Sequence, residues 1–212
     1  MATLLRRFAG EFELDYSTLF IEDDAADRGI RPPIEGGWLR ATEQQVSLSS
    51  ASGKFLVPEA LLEYWDGEPP PATGWPSTSE TLTWFSTGRL CLWRTIREQP
   101  LARFDLGGPG LYRVRAHTGD RDRIRQEAET AMSRRIDEGA PPDSLRGAER
   151  FLVQFWPAPP SDTRDQIGAP GRIFPEGSEQ QQFADAVHAL ASYDPRDPLE
   201  RTERTVPGTE QH

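Results

Sequence analysis

The chain has 212 residues, a formal net charge of -10 and a single cysteine, Cys91. That length suits one domain with a core large enough to need no metal or disulfide staple, and a lone cysteine excludes an internal disulfide or a multi-cysteine zinc site. The acidity disfavours binding to nucleic-acid phosphates.

No run reaches the ~18–20 apolar residues needed to span a bilayer. The opening MATLLRRFAGEFELD is interrupted by Arg6 and Arg7 too early for a secretory leader, so a cytoplasmic location is expected. Lys54 is the only lysine; arginine is spread along the whole chain and reads as a compositional bias.

In chain order, Phe12, Leu14 and Tyr16 alternate with Glu13 and Asp15, and Leu19 and Ile21 continue the pattern. This predicts a first strand, or two broken by a bulge. It ends in the acidic loop Glu22–Gly29. Short strands are then predicted at Trp38–Thr42, Gln45–Leu48, Lys54–Val57 and Leu61–Trp65, each bounded by turn residues. Thr81–Phe85 and Arg89–Trp93, joined by Ser86-Thr87-Gly88, read as a hairpin. Ala102–Leu106 and Leu111–His117, joined by Gly107-Gly108-Pro109-Gly110, read as another.

In Leu111–His117, Tyr112, Val114 and Ala116 share one face and Arg113, Arg115 and His117 the other. Phe151–Trp156 is apolar on most of both faces, which places it inside a sheet rather than at an edge. Between these two strands, Ile124, Ala128, Met132 and Ile136 recur every four residues and predict a helix with one narrow apolar stripe. Asp120 suits its N-cap and Gly139 its end. Arg123–Glu127 and Arg125–Glu129 have the spacing of ion pairs along it.

After Pro157 prolines and small polar residues dominate. A short helix capped by Ser178 is predicted through Phe183, Val187 and Leu190, and a disordered tail from Tyr193. The expected fold is mainly β: an antiparallel β-sandwich with an inserted surface helix and a short C-terminal helix. Its domain covers 1–160 with the helix at 120–139, followed by an extension at 161–192 and the tail at 193–212.

The chemistry-bearing residues are sparse. His117, His188 and His212 have no partner at metal-ligand spacing. Cys91 sits mid-strand as a small hydrophobe. There is no nucleophile elbow, P-loop or dinucleotide-binding glycine pattern. Asp23, Asp24 and Asp27 lack the spacing of a calcium loop; a solvated acidic loop, or one that offers charge to a basic partner, fits them better. Among the six tryptophans, Trp75 lies in the loop Pro69–Pro76, placed either to anchor an interface or to pack over the sheet end. Ile124 and Met132 would carry the helix's contact with the sheet or with a partner. No metal or cofactor is expected.

The order of segments resembles bacterial proteins similar to competence protein J. It comprises the strand Phe12–Ile21 with its acidic end, Glu59–Pro71, the turn Ser86–Leu90, GPGLYRVRAH and FLVQFWPAP, spanning roughly Phe12–Pro160. That family accompanies a DNA-entry nuclease, and one member inhibits it. Two features depart from its pattern: the helix Asp120–Gly139 replaces a short loop, and the C-terminal segment lies outside it. The resemblance implies a β-sandwich and a protein partner, and carries no catalytic residue.

Three readings follow. The first is a non-enzymatic protein-binding module, of nuclease-inhibitor or immunity type, that sets carboxylates against the basic surface of a nuclease or toxin. The second is an accessory or structural subunit of a larger bacterial assembly, docked through the helix. The third is an uncharacterised hydrolase, which would need buried carboxylates converging with a histidine. The oligomeric state is not set by the sequence.

Overall fold

The computed structural model describes residues 1–14, 17–26, 37–52, 56–94, 99–138 (for 135–138 the backbone alone) and 146–167. The chain divides into two units, Met1–Arg172 and Ile173–His212. All the described residues belong to the first. The predicted helix from Ser178 and the tail from Tyr193 lie outside them, as do Asp27, His188 and His212.

Two five-stranded sheets form the described part. One has the order β1-β5-β10-β9-β6, from Leu4–Glu11, Val57–Trp65, Arg146–Pro157, Gly110–Thr118 and Ser77–Phe85. The other has the order β3-β4-β2-β7-β8, from Leu39–Thr42, Gln45–Ser49, Thr18–Asp23, Arg89–Trp93 and Ala102–Asp105. The fold is thus the expected mainly β sandwich. Its pairing is antiparallel except between β5 and β10, which run parallel. A parallel pair needs a long connection, and the chain between these two strands supplies one.

Side chains from both sheets meet in one core. Leu62, Val114, Phe85, Phe151, Val153 and Phe155 face Leu19, Ile21, Val46, Leu48, Leu90 and Leu92, all deeply buried. Phe155 touches Phe85 at 6.4 Å and Phe104 at 6.2 Å between ring centroids, joining the two layers. β10 is the central strand of its sheet, as its two apolar faces predict.

The first strand differs from expectation. β1 is Leu4–Glu11, ahead of the predicted segment, and β2 begins at Thr18. Phe12 and Leu14 are buried without lying in either strand. Alternation correctly reports their burial but not pairing. β1 is an edge strand, half polar, with Leu5 51% exposed, so it lacks the signal of an inward face. Gly10 sits beneath the stacked rings of Phe8 and Phe12, where a Cβ would come within 2.9 Å of Phe12. Farther along, Lys54 and Phe55 of the predicted strand Lys54–Val57 lie outside the described residues, and the strand predicted at Leu61–Trp65 is longer. β5 runs from Val57 to Trp65, and Pro58 falls in its register shift against β10, where no regular rung is lost.

Neither predicted hairpin is one. β6 pairs with β9 while β7 pairs with β2 and β8, so Ser86-Thr87-Gly88 carries the chain from one sheet to the other. The turn after β8 does the same in return. These two arches pack on each other: Leu106 N–H donates to Gly88 O at 2.8 Å. A Cβ on Gly88, which holds φ +70, would lie 2.1 Å from Gly108 O. Tyr112 staples the second arch by donating to Gly108 O at 2.7 Å.

The strand pair β9·β10 holds the inserted helix α1, Arg121–Glu138. Asp120 caps it, accepting from the N–H groups of Asp122 and Arg123 at 3.1 Å. Ile124 and Ala128 bury against Ala51 and Leu56 in a small second core. Arg123 meets Glu127 at 3.5 Å, as the spacing predicts, whereas Arg125 turns back to Asp122 at 2.7 Å. The helix is a surface helix resting on a narrow footing.

Candidate functional site

Asp23 closes β2 and is 3% exposed. One carboxylate oxygen accepts from the N–H groups of Thr87 at 2.8 Å and Gly88 at 3.0 Å. The other accepts from the Thr87 hydroxyl at 2.8 Å and the Ala25 N–H at 3.1 Å. Burial alone would raise this carboxyl, but the donors, led by the Thr87 N–H, outweigh it and hold it below its ordinary value. Asp23 therefore fastens the first arch to β2. Asp24, beside it, is half-buried and pairs with Arg89 at 2.9 Å. Among the described residues no group of three or more His, Cys, Asp or Glu is placed to hold a metal ion.

On the face of the first sheet turned away from the core, one polar side chain from each strand joins a continuous ladder. Arg7 of β1 donates to Glu63 of β5 at 2.6 Å. Gln154 of β10 donates through Nε2 to Glu63 at 2.9 Å, and the Trp65 indole donates to the same carboxylate at 3.0 Å. His117 of β9 lies 3.2 Å from Gln154 Oε1 through Nε2, and Thr78 of β6 lies 2.9 Å from His117 Nδ1. The amide oxygen can only accept, so His117 carries its proton on Nε2 and receives the Thr78 hydroxyl at Nδ1. Every direction in the row is then fixed.

Glu63, Gln154 and His117 are all buried. Burial pushes Glu63 up, and hydrogen bonds from Gln154, Arg7 and Trp65 more than reverse this, holding the carboxyl below its ordinary value. Burial pushes His117 down; the bond to Gln154 opposes it, the neighbouring Arg115 adds to it, and the imidazole stands below its ordinary value.

Trp75 lies over this ladder. Its ring is half-buried, 6.1 Å from the His117 ring, and Arg150 caps it with Cζ at 5.7 Å. Arg115 lies over Trp156 at 4.9 Å. Arg115 also reaches Glu68 at 2.6 Å and the Pro69 carbonyl at 3.4 Å, tying the Pro-rich loop onto the sheet. Of the two placements the sequence allows for Trp75, packing over the sheet is what is seen, with part of the indole still in solvent.

At the foot of α1, Glu149 is wholly buried. It accepts from the Ser50 hydroxyl, and from the Ala51 N–H at 2.9 Å. Arg121 stands 3.5 Å away, donates to the carbonyls of Ser49 and Ser50, and lies over Trp38. Burial dominates, so Glu149 is raised above its ordinary value despite those donors. Ile124 is 1% exposed and belongs to the small core, whereas Met132 is half-exposed on the same helix.

The acidic loop, the Trp75 loop and α1 thus remain three separate features. Sequence reasoning missed Glu63, Gln154 and Glu149. The alternation of β9 and β10 sorts His117 and Gln154 onto the same kind of face, but which strands adjoin cannot be read from alternation.

No family model matches the sequence, and no curated protein matches it. Two solved structures do. ComJ from Bacillus subtilis, described as an inhibitor of the DNA-degrading activity of NucA, is 12% identical, with a TM-score of 0.45 over 74% of this chain and 99% of its own. A protein described as crocagin biosynthetic gene J is 17% identical, with a TM-score of 0.44 over 73% of this chain and 100% of its own. The resemblance to both is partial.

Proposed function

We propose that this chain is a non-enzymatic protein-binding module whose partner presents a basic surface, with a nuclease or toxin as the class the sequence resemblance implies. The observation that supports it is the dispersal of the buried carboxylates among the described residues: Glu22 accepts from Gln45 on the second sheet, and the others are placed apart. Asp23 serves an arch, Glu63 a ladder across one sheet, and Glu149 the footing of a helix. His117 meets Gln154 rather than a carboxylate. Groups committed in this way build a rigid frame; a hydrolytic site would gather two carboxylates and a histidine around one vacancy.

In this reading the sequence candidates divide into anchors and presenters. Asp23 holds the loop, and Asp24 with Asp27 offers charge from it. Ile124 holds the helix, and Met132 is its contact residue. Trp75, backed by His117 and flanked by Arg150, is a preorganised anchor of the kind that dominates interfaces.

The test is capture of the partner by the tagged full chain from its own cells at low salt. Mass spectrometry would identify the partner, and a DNA-degradation assay on the purified pair would follow. Recovery of a basic nuclease or toxin that the chain blocks stoichiometrically is expected. Capture of no basic protein, or substrate turnover by the chain alone, would overturn the proposal.

A further inference from the structure

Beyond β10 the chain does not leave the sandwich at once. Residues 158–167 cross the outer face of the first sheet at its β6 edge. The Ala158 N–H donates to Leu111 O at 2.9 Å, and a single 3-10 turn, Arg164–Gln166, follows. No residue of that turn is buried. What holds the segment is polar. Asp162, its side chain only 8% exposed, takes the guanidinium of Arg113 in a two-pronged grip at 2.6 and 3.0 Å. Arg113 is held from its other side by Glu80 at 2.8 Å. Arg164 lies flat over the Trp84 ring, its Cζ 4.0 Å from the centroid, and reaches Glu43 at 3.5 Å.

We infer that 158–167 is an ionically latched strap: Asp162–Arg113 is the latch, Arg164–Trp84 the pad, and opening it bares the Trp84 indole and the Arg113 guanidinium on the β6–β9 face. The charge placement supports this. An apolar strap would be sealed to the sheet by burial and could leave only by unfolding. This one rests on a bidentate pair whose guanidinium stays 39% exposed although its carboxylate is sheltered, and on a cation–π contact whose guanidinium is half in solvent, so both are open to salt or a competing cation from the arginine side. A basic partner of the kind proposed above would compete for Asp162 in the same way, a corollary that rests on that proposal. The latch itself does not.

Hydrogen exchange read by mass spectrometry on the full chain tests it without a partner. The amides of Ala158, Asp162, Gln166 and Ile167 are hydrogen-bonded within or beneath the strap and report its opening. Asp162→Asn is expected to speed their exchange about threefold or more, with protection across β9 and β10 unchanged. Raising sodium chloride from about 0.05 to 0.5 M should act in the same direction on the unmodified chain. Trp84→Leu, which removes the pad and keeps the latch, should give a smaller rise. Unchanged exchange in Asp162→Asn and in salt would overturn the latch. So would a parallel loss of protection in β9 and β10, which would make the segment part of the folded core.

Discussion

Single residues here do their work through saturation. Asp23 accepts from two backbone N–H groups of the arch through one oxygen and from the Thr87 hydroxyl and the Ala25 N–H through the other, and an asparagine would turn an amide donor toward one of these two pairs. Asp23→Asn is expected to cost about 2–4 kcal/mol, read as a drop in the denaturant midpoint. An unchanged midpoint would mean that the arch is held without it. Gly88→Ala faces both a positive φ and the Gly108 carbonyl and should cost a comparable ~2–4 kcal/mol, as strain rather than lost bonding.

The pH response separates the same groups by sign. Asp23 and Glu63 are lowered in the fold, so their contribution is full above their ordinary values of 3.8 and 4.5 and is lost as pH falls through the folded values. His117, lowered from 6.5, likewise withdraws stability as pH falls below that value. Glu149 runs the other way. Its pKa is raised, so its contribution is present below 4.5 and is lost as pH rises through the folded value. Relative to Glu149→Gln, the unmodified chain should therefore gain stability as pH is lowered from about 8 to the carboxyl's ordinary value of 4.5. Melting curves at the two pH values check this, and a difference that is flat or of opposite sign would refute the assignment.

At the scale of elements, the sequence was legible where burial makes a pattern and silent where pairing does not. β9, β10 and the helix between them follow directly from their periodicity, and the central place of β10 follows from its two apolar faces. The hairpin reading of Ser86–Gly88 failed because a turn that reverses within a sheet and one that crosses between sheets use the same residues. β1 was invisible because an edge strand buries little. The candidate residues are legible only as residue types: nothing in the sequence says that Asp23 and Ile124 are buried while Asp24 and Met132 are partly exposed.

The helix gives a direct contrast. Ile124→Asp should cost roughly 3 kcal/mol or more by placing a charge in the small core. Met132→Asp should change stability by less than about 1 kcal/mol and act, if the helix is a contact surface, on partner binding alone. Equal destabilisation by both would make the whole stripe core.

For the whole molecule, the chain carries a formal net charge of -10, and Asp23, Glu63 and Glu149 are each structurally engaged in the described sandwich. On the function proposed above, a basic protein would be drawn to such a chain over distance. The most direct test is the association rate of the captured partner, measured by stopped flow from about 0.05 to 0.5 M salt, for the chain and for Asp24→Asn with Asp27→Asn. The account predicts a fall of about tenfold or more with salt, and a slower rate in the double variant at low salt with dissociation little changed. A rate indifferent to both salt and the two substitutions would contradict it.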